Sequence, residues 1–296
     1  MTALTETAAV PPRLEVFQAL WAMEQRRSGV PERPLEQSFA MVAEAGFDGI
    51  CIDTGVTPLN EAFALAPLFE KHNLRCLVTA FVSSMDGLTP VLELAKHLNA
   101  THINLIGQVM PLGVDATVPV ARRWMEMADA AGVELQFETH RNSITNDMFA
   151  TLQLLDAVPE MTLSADLSHY VVGREFDYPI SARTESHIAR LLARSASFQG
   201  RIASRQQIQV PFGFPQYAKW LDLFLGWWQQ GFRQWRAEAA RAGTTKPLNF
   251  LCELGPHEYA MTGPDGLELS DRWEEALLIK QHVRAIWSGL DDEATS

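Results

Sequence analysis

The stretch "LSADLSHYV" (163–171) closes a short apolar run on Asp166 and sets His169 three residues beyond it. Three other runs end in a similar way. "VELQFE" (133–138) stops at Glu138 with His140 just past it, and "LNFLCEL" (248–254) carries Glu253, followed by His257. "SFQGRIAS" (197–204) brings Gln199 and Arg201, with Arg205 next along the chain. Two glutamates, an aspartate and a glutamine all offer oxygen. Gathered in one place, the carboxylates could not stay ionised together without a compensating charge. A divalent cation is the simplest such charge. An all-oxygen set selects a hard ion, Mn²⁺ or Mg²⁺, over Zn²⁺ or Cu²⁺. In this reading Asp166 is a ligand, and His169 reaches a substrate or the surroundings of the ion.

That chemistry requires elements that bring the four run ends together. Eight short apolar or β-branched runs recur, at 14–23, 48–53, 75–81, 102–109, 133–138, 161–166, 197–204 and 248–254. Between them, segments such as "VLELAKHLNA" and "ARRWMEMADAAG" space their apolar residues as helices do. Two of the alanine-rich segments stop at glycine, as helix C-termini commonly do. Most run starts are about 30 residues apart, the length of one strand–helix unit. The pattern predicts α/β architecture, a single (β/α)₈ TIM barrel over 14–288, with an N-terminal arm (1–13) and a flexible C-terminal tail (289–296). A doubly wound open sheet would need a glycine-rich phosphate loop after an early strand. Neither GxGxxG nor GxxxxGK followed by Ser or Thr occurs. In a barrel, the C-terminal ends of the strands share one mouth. Four consecutive strands would then deliver Glu138, Asp166, Gln199 and Glu253 to it, while His102, at the start of a strand, falls at the wrong end.

Composition narrows the partners. Against 24 basic residues stand 36 acidic ones, a formal net charge of −12, which disfavours nucleic acid or an anionic membrane. The excess suits an acidic pocket that collects a cation, and equally suits simple solubility. The three cysteines lie far apart in apolar runs without a CxxC, so reduced, buried thiols in a cytoplasmic protein are expected. No signal peptide and no transmembrane span is expected.

With these residues in place, the chain resembles the sugar phosphate isomerase/epimerase family with the xylose isomerase-like barrel. The matching pieces are "FETHRNSITND" (137–147), "SADLSHYVV" (164–172), "GRIASRQQIQVP" (200–211), the "WW" at 227–228 and "ELGPHEY" (253–259), in the family's order. The opening "LEVFQALWAM" is similar to the family's first strand. The resemblance implies metal ligands at Glu138, Asp166 and Glu253, with Gln199 standing where the family usually has histidine. It also implies that His169 and Arg205 hold the substrate's oxygens, as in ketose 3-epimerases. The implied reaction is proton abstraction beside a carbonyl through a cis-enediolate, with the ion as Lewis acid and template. Glu138 and Glu253 would form the acid/base pair on opposite sides of the substrate carbon. Returning the proton to the opposite face gives epimerisation, and returning it to the neighbouring carbon gives isomerisation. Loss of a β-hydroxyl would make the enzyme a dehydratase or lyase on a polyol or keto-sugar. The substrate expected is a small sugar or keto-sugar, free or phosphorylated.

Other residues carry weaker signals. His140 and His257 reach the mouth side and either contact substrate or cap a loop. Trp21, at the end of the first run, is a candidate apolar floor for a sugar ring as well as a core residue. The loop "QQIQVPFGFPQ" (206–216) could wall the mouth. In "QYAKWLDLFLGWWQQGFRQW" (216–235) one helix face fits the barrel, while Trp228, Phe232 and Trp235 widen the apolar surface and suggest a homo-oligomer contact. Two further readings are an endonuclease IV-like phosphodiesterase and a non-catalytic binding protein, in which Gln199 would mark a site that has lost its metal. The first would need several clustered histidines and a basic groove, which this acidic chain does not supply.

Overall fold

A computed structural model describes residues 12–27 and 29–295, so most of the expected arm lies outside the described residues. Eight parallel strands close into a barrel in sequence order: β1 (Leu14–Ala19), β2 (Gly49–Asp53), β3 (Arg75–Val82), β4 (Ile103–Gly107), β5 (Leu135–Glu138), β6 (Leu163–Ala165), β7 (Ser195–Gly200) and β8 (Leu248–Cys252). The pairing of β1 with β8, Leu14 to Leu248 through Gln18 to Cys252, seals the ring and leaves no free sheet edge. These strands are buried along almost their whole length, which is why each reads as an apolar run rather than an alternation.

Helices cover the outside: α1 (Leu35–Glu44), the pair α2 (Leu59–Phe63) and α3 (Ala66–His72), α4 (Leu88–His97), α5 (Val114–Ala131), α6 (Met148–Ala157), α7 (Ser168–Gly173), α8 (Ala182–Leu192), α9 (Ala218–Ala242) and α10 (Arg272–Thr295). Their boundaries follow ordinary end chemistry. Asp147 caps α6 by accepting from the amides of Phe149 and Ala150 at 3.0 and 2.9 Å. Gly132 and Gly243 end α5 and α9 in the left-handed conformation. The sequence suggested a tail over 289–296, whereas the backbone of α10 stays helical through Thr295. A single glycine, Gly289, weakens a helix without ending it.

The long α9 answers the homo-oligomer expectation. Trp228 and Phe232 are fully buried, and their rings meet Phe250 of β8 edge-on, with centroids 5.1 and 6.0 Å away. Phe232 and Trp235 also face Trp287 of α10 at 5.9 and 6.0 Å. The second apolar side of α9 is therefore covered by the chain's own last helix, and the sequence basis for a partner contact disappears. No helix among the described residues is long and apolar enough to cross a membrane.

The barrel interior divides into an apolar and a polar part. Phe17, Ala19, Cys51, Leu77 and Leu251 form a cluster under Trp21 and Ala22. Toward β4–β7 the interior is hydrogen-bonded instead. Ser197 donates to Gln136 Oε1 at 2.5 Å, and Asn249 Nδ2 lies 3.1 Å from His102 Nδ1. His102 sits at the bottom, as its position at the strand start required. The three cysteines are free and buried.

Candidate active site

Glu138 ends β5, Asp166 follows β6, and Glu253 follows β8, so all three carboxylates stand at the C-terminal end of the barrel. One oxygen from each lies within 4.8 Å of the others. None is exposed by more than 5%. The strand-end rule thus brings the expected carboxylates together, and the site is shut off from solvent in this conformation.

Each carboxylate is held by its own set of partners. Asp166 Oδ1 accepts from the amide and hydroxyl of Ser168, at 2.9 and 2.5 Å, a turn that also opens α7. That turn presents His169, whose Nε2 lies 3.4 Å from Asp166 Oδ2. Glu138 Oε2 accepts a short hydrogen bond from Asn104 Nδ2 of β4, which also donates to Thr79 of β3 at 3.1 Å. Behind Glu138, the loop to α6 is fastened by Thr145, whose hydroxyl donates to the Glu138 carbonyl, and by the Tyr170 hydroxyl, 2.8 Å from the Thr145 carbonyl. Glu253 is placed by a tight backbone. A side chain on Gly255 would run into the Trp21 ring.

The expected fourth member, Gln199, faces the same space. Its Nε2 lies 3.3 Å from Ser164 Oγ, while its buried Oε1 has no hydrogen-bond partner. An orphaned oxygen beside three converging carboxylates fits the donor set of a hard divalent ion. Glu138, Asp166, Glu253 and the Gln199 oxygen are the groups that would hold one. A second group, Glu138 with His140 and His169, also has its donor atoms within 4.8 Å of one another.

A cation of the chain's own already stands in the cluster. Arg201, the residue after β7, is only 1% exposed. Its Nε lies 3.2 Å from Asp166 Oδ2, and its NH2 lies 3.2 Å from Glu253 Oε2, near enough for an ion pair though not aligned as a hydrogen bond. Its third nitrogen, NH1, faces Gln209 Oε1 at 3.4 Å, and the guanidinium lies 4.5 Å over the Tyr259 ring. Gln209 also pairs both sides of its amide with the Gly255 backbone, at 2.8 and 2.9 Å, joining the loop after β7 to the loop after β8.

The electrostatics follow from burial. Desolvation pushes the Glu138 carboxyl well above the usual range, and the charges of Glu253 and Asp166 push it further. Glu253 is raised for the same first reason, but the Arg201 guanidinium opposes the rise. Burial disfavours the charged form of Arg201, yet Glu253 and Asp166 outweigh it and hold the guanidinium firmly protonated. His169 is pushed well below its normal value by burial, then by His140 and Arg201. His140 falls to about 4 for the same leading cause. The two imidazoles, with ring centroids 4.1 Å apart, therefore stay neutral.

The remaining sequence candidates divide. His140 and His169 are buried in the site, and Phe81 meets His140 edge-on at 5.5 Å. Trp21 is buried, 5.5 Å from Tyr259, and so forms part of the wall beside Arg201 rather than a bare floor. Arg205 stays at the rim, with its side chain 45% exposed and paired to Asp177 and Glu175. His257 is exposed on the loop after β8 and points no group into the cluster. Sequence reasoning passed over Asp53 and Asn104. Asp53 ends β2 and could have been found by the same strand-end rule; burial lifts its carboxyl to about 6. Asn104 lies mid-strand in "HINLIG", where only the inward alternation marks it.

No protein-family model matches the chain, and no curated protein matches it. Solved structures do. A D-allulose 3-epimerase from Methylomonas sp., in complex with D-allulose, is 16% identical with a TM-score of 0.55, covering 92% of this chain and 98% of its own. A xylose isomerase-like TIM barrel protein from Mycobacterium smegmatis, in complex with magnesium, is 15% identical with a TM-score of 0.56, covering 92% and 97%. A probable 3-DHS dehydratase from Bacillus anthracis is 11% identical with a TM-score of 0.52, covering 92% and 98%. At such identities the likeness shows the fold alone, the (β/α)₈ TIM barrel.

Proposed function

We propose that this chain is an isomerase or epimerase of a small sugar or keto-sugar, working by proton transfer beside a carbonyl through a cis-enediolate. The observation that carries the reading is the placement of Glu138 and Glu253. They are two buried carboxyls from β5 and the end of β8, facing one space and held in unlike surroundings. Glu253 shares the Arg201 guanidinium, which favours its ionised form, so it is the base that takes the proton from carbon. Glu138 has no ion-pair partner among the described residues, stands beside the Asn104 and Gln199 amides and the two imidazoles, and is pushed by burial toward carrying a proton, so it is the group that delivers one. The C–H electron pair moves into the C–C bond and the carbonyl pair onto oxygen. Re-protonation from the Glu138 side reverses the stereocentre or shifts the carbonyl.

Neutral His169 and His140 present ring nitrogens that can donate to the substrate's developing oxyanion and hydroxyls. Were a divalent ion, Mn²⁺ or Mg²⁺, to take the place of the Arg201 guanidinium, Glu138, Asp166, Glu253 and Gln199 would hold it and it would supply Lewis-acid polarisation of the carbonyl. The absence of a glycine-rich phosphate loop makes a free sugar as suitable as a phosphorylated one. Three free buried thiols support a reducing, cytoplasmic setting. The epimerase neighbour bound to D-allulose supports a keto-sugar as first choice. The dehydratase neighbour keeps elimination open as a second outcome from the same enediolate.

The test is proton NMR of a panel of keto-sugars in D₂O with the purified protein. Deuterium entering beside the carbonyl, with an isomeric product, supports the reading. Release of water or bond cleavage without an isomer would assign the chain to the dehydratase or lyase class. No exchange with any keto-sugar overturns the proposal.

A further inference from the structure

Arg201 is the one residue of the cluster that a divalent-ion centre does not call for. Its side chain is among the largest fully buried ones in the protein. Each of its three nitrogens already stands against a protein oxygen, on Asp166, Glu253 and Gln209, and its face is covered by Tyr259. The guanidinium is thus held from every nitrogen by the protein's own oxygens, which places it as part of the cluster's framework. Its two carboxylate partners are two of the three that would hold an ion. Both oxygens of Asp166 already have protein partners: Oδ1 takes both donors of Ser168, and Oδ2 faces Arg201.

We propose that the Arg201 guanidinium is the resident cation of this carboxylate cluster, so that the site assembles without a divalent ion, and an ion can bind only by displacing the guanidinium from Asp166 and Glu253. An Mn²⁺ or Mg²⁺ ion sits ~2.1 Å from its oxygens. Placed on the oxygens that Arg201 faces at 3.2 Å, it would lie against a like charge in a buried, weakly screened setting. Competition between the two is therefore built into the geometry. Gln199 adds to the effect, since an amide oxygen is a weaker donor than a charged or imidazole ligand. The inference rests on the carboxylate site described above but not on its reaction, and its readout is binding rather than turnover.

The experiment compares wild type with Arg201→Gln, both stripped with chelator. Thermal unfolding is followed in EDTA and in ~1 mM Mn²⁺, a concentration at which even a modest site would raise Tm. Mn²⁺ affinity is measured by calorimetry. Wild type is expected to melt at the same temperature in both buffers. Arg201→Gln is expected to melt lower in EDTA, to recover in Mn²⁺, and to bind the ion at least ~10-fold tighter than wild type. A clear Mn²⁺-dependent rise in the wild-type Tm overturns the proposal, as does an Arg201→Gln protein that binds Mn²⁺ no better than wild type. If Arg201→Gln does not fold in either buffer, the wild-type comparison decides alone. A protein that meets these expectations yet exchanges no proton with keto-sugars would keep its resident cation and lose only the proposed reaction.

Discussion

The Nε of Arg201 lies 3.2 Å from Oδ2 of Asp166, and neither side chain is more than 1% exposed. Removing one partner of such a pair leaves the other charge buried without compensation, which costs more than the pair itself contributes. Asp166→Ala should lower the unfolding free energy by about 3–5 kcal/mol, with part of the loss coming from the Ser168 donors it strands. Urea denaturation measures this. A loss below ~1 kcal/mol would mean that water reaches the pair.

Glu138 and Glu253 should fail differently. Glu253→Gln removes the base and should abolish deuterium exchange beside the carbonyl, a drop of roughly 10²–10⁴. Glu138→Gln leaves the base and removes the returning acid, so exchange should persist while net isomeric product is lost. NMR of the same keto-sugar in D₂O reads both quantities. Equal loss of both in the two variants would contradict the assignment of roles.

Arg205, paired with Asp177 and Glu175 at the rim, should matter little to stability. For Arg205→Ala the expected change is within about 1 kcal/mol, with turnover within a few-fold of wild type. A selective rise in KM would instead show that Arg205 swings inward when substrate binds.

Acid should act on the barrel bottom through His102. Burial pulls this imidazole down to about 4 from its usual 6.5, so the unfolded chain binds the proton first. The stabilising contribution is complete above pH 6.5 and is lost as pH falls toward 4, by about 3 kcal/mol. Asp53 carries the opposite sign. Its carboxyl is raised from 3.8 to about 6, so its contribution is complete at low pH and fades as pH rises through 6. The His102 share is therefore read as wild type minus His102→Asn, by denaturation at pH 4, 5 and 6.5. A flat difference would contradict it.

Trp228, fully buried between α9 and Phe250, should cost ~3–5 kcal/mol on conversion to alanine, through the cavity it leaves. That Trp228 packs inside the chain rather than widening an outer apolar surface is instructive. The residue that covers the neighbouring Phe232 is Trp287, more than fifty positions away, and no periodicity within α9 can report that.

The fold was legible because parallel strands buried on both faces leave apolar runs at a regular spacing. The ends were less so. The run at 14–23 continues past β1 into a single helical turn, Trp21–Met23, since both are apolar and buried. Three carboxylates of the site could be read from strand ends alone. Arg201 was visible in the same motif, but its role was not. An arginine at a barrel mouth ordinarily reads as a rim charge, and only the packing of Tyr259 and Gln209 around it makes it internal. Asn104 stayed hidden because a polar residue inside a strand announces nothing until its neighbours on the adjacent strands, Thr79 and Glu138, are known.

The amide of Gln209 makes the same two hydrogen bonds to Gly255 that a neighbouring strand would make. Mechanically, this turns two walls of the mouth into one. The loops after β7 and β8 cannot part while the amide is paired, yet the carboxylates below are sealed and a substrate must still get in. Among the described residues the opposite rim has no such fastening to it, and apolar side chains stand exposed there, Phe81 near the end of β3 and Val56 just after β2. A change at position 209 would leave the two fastened loops free to part as well.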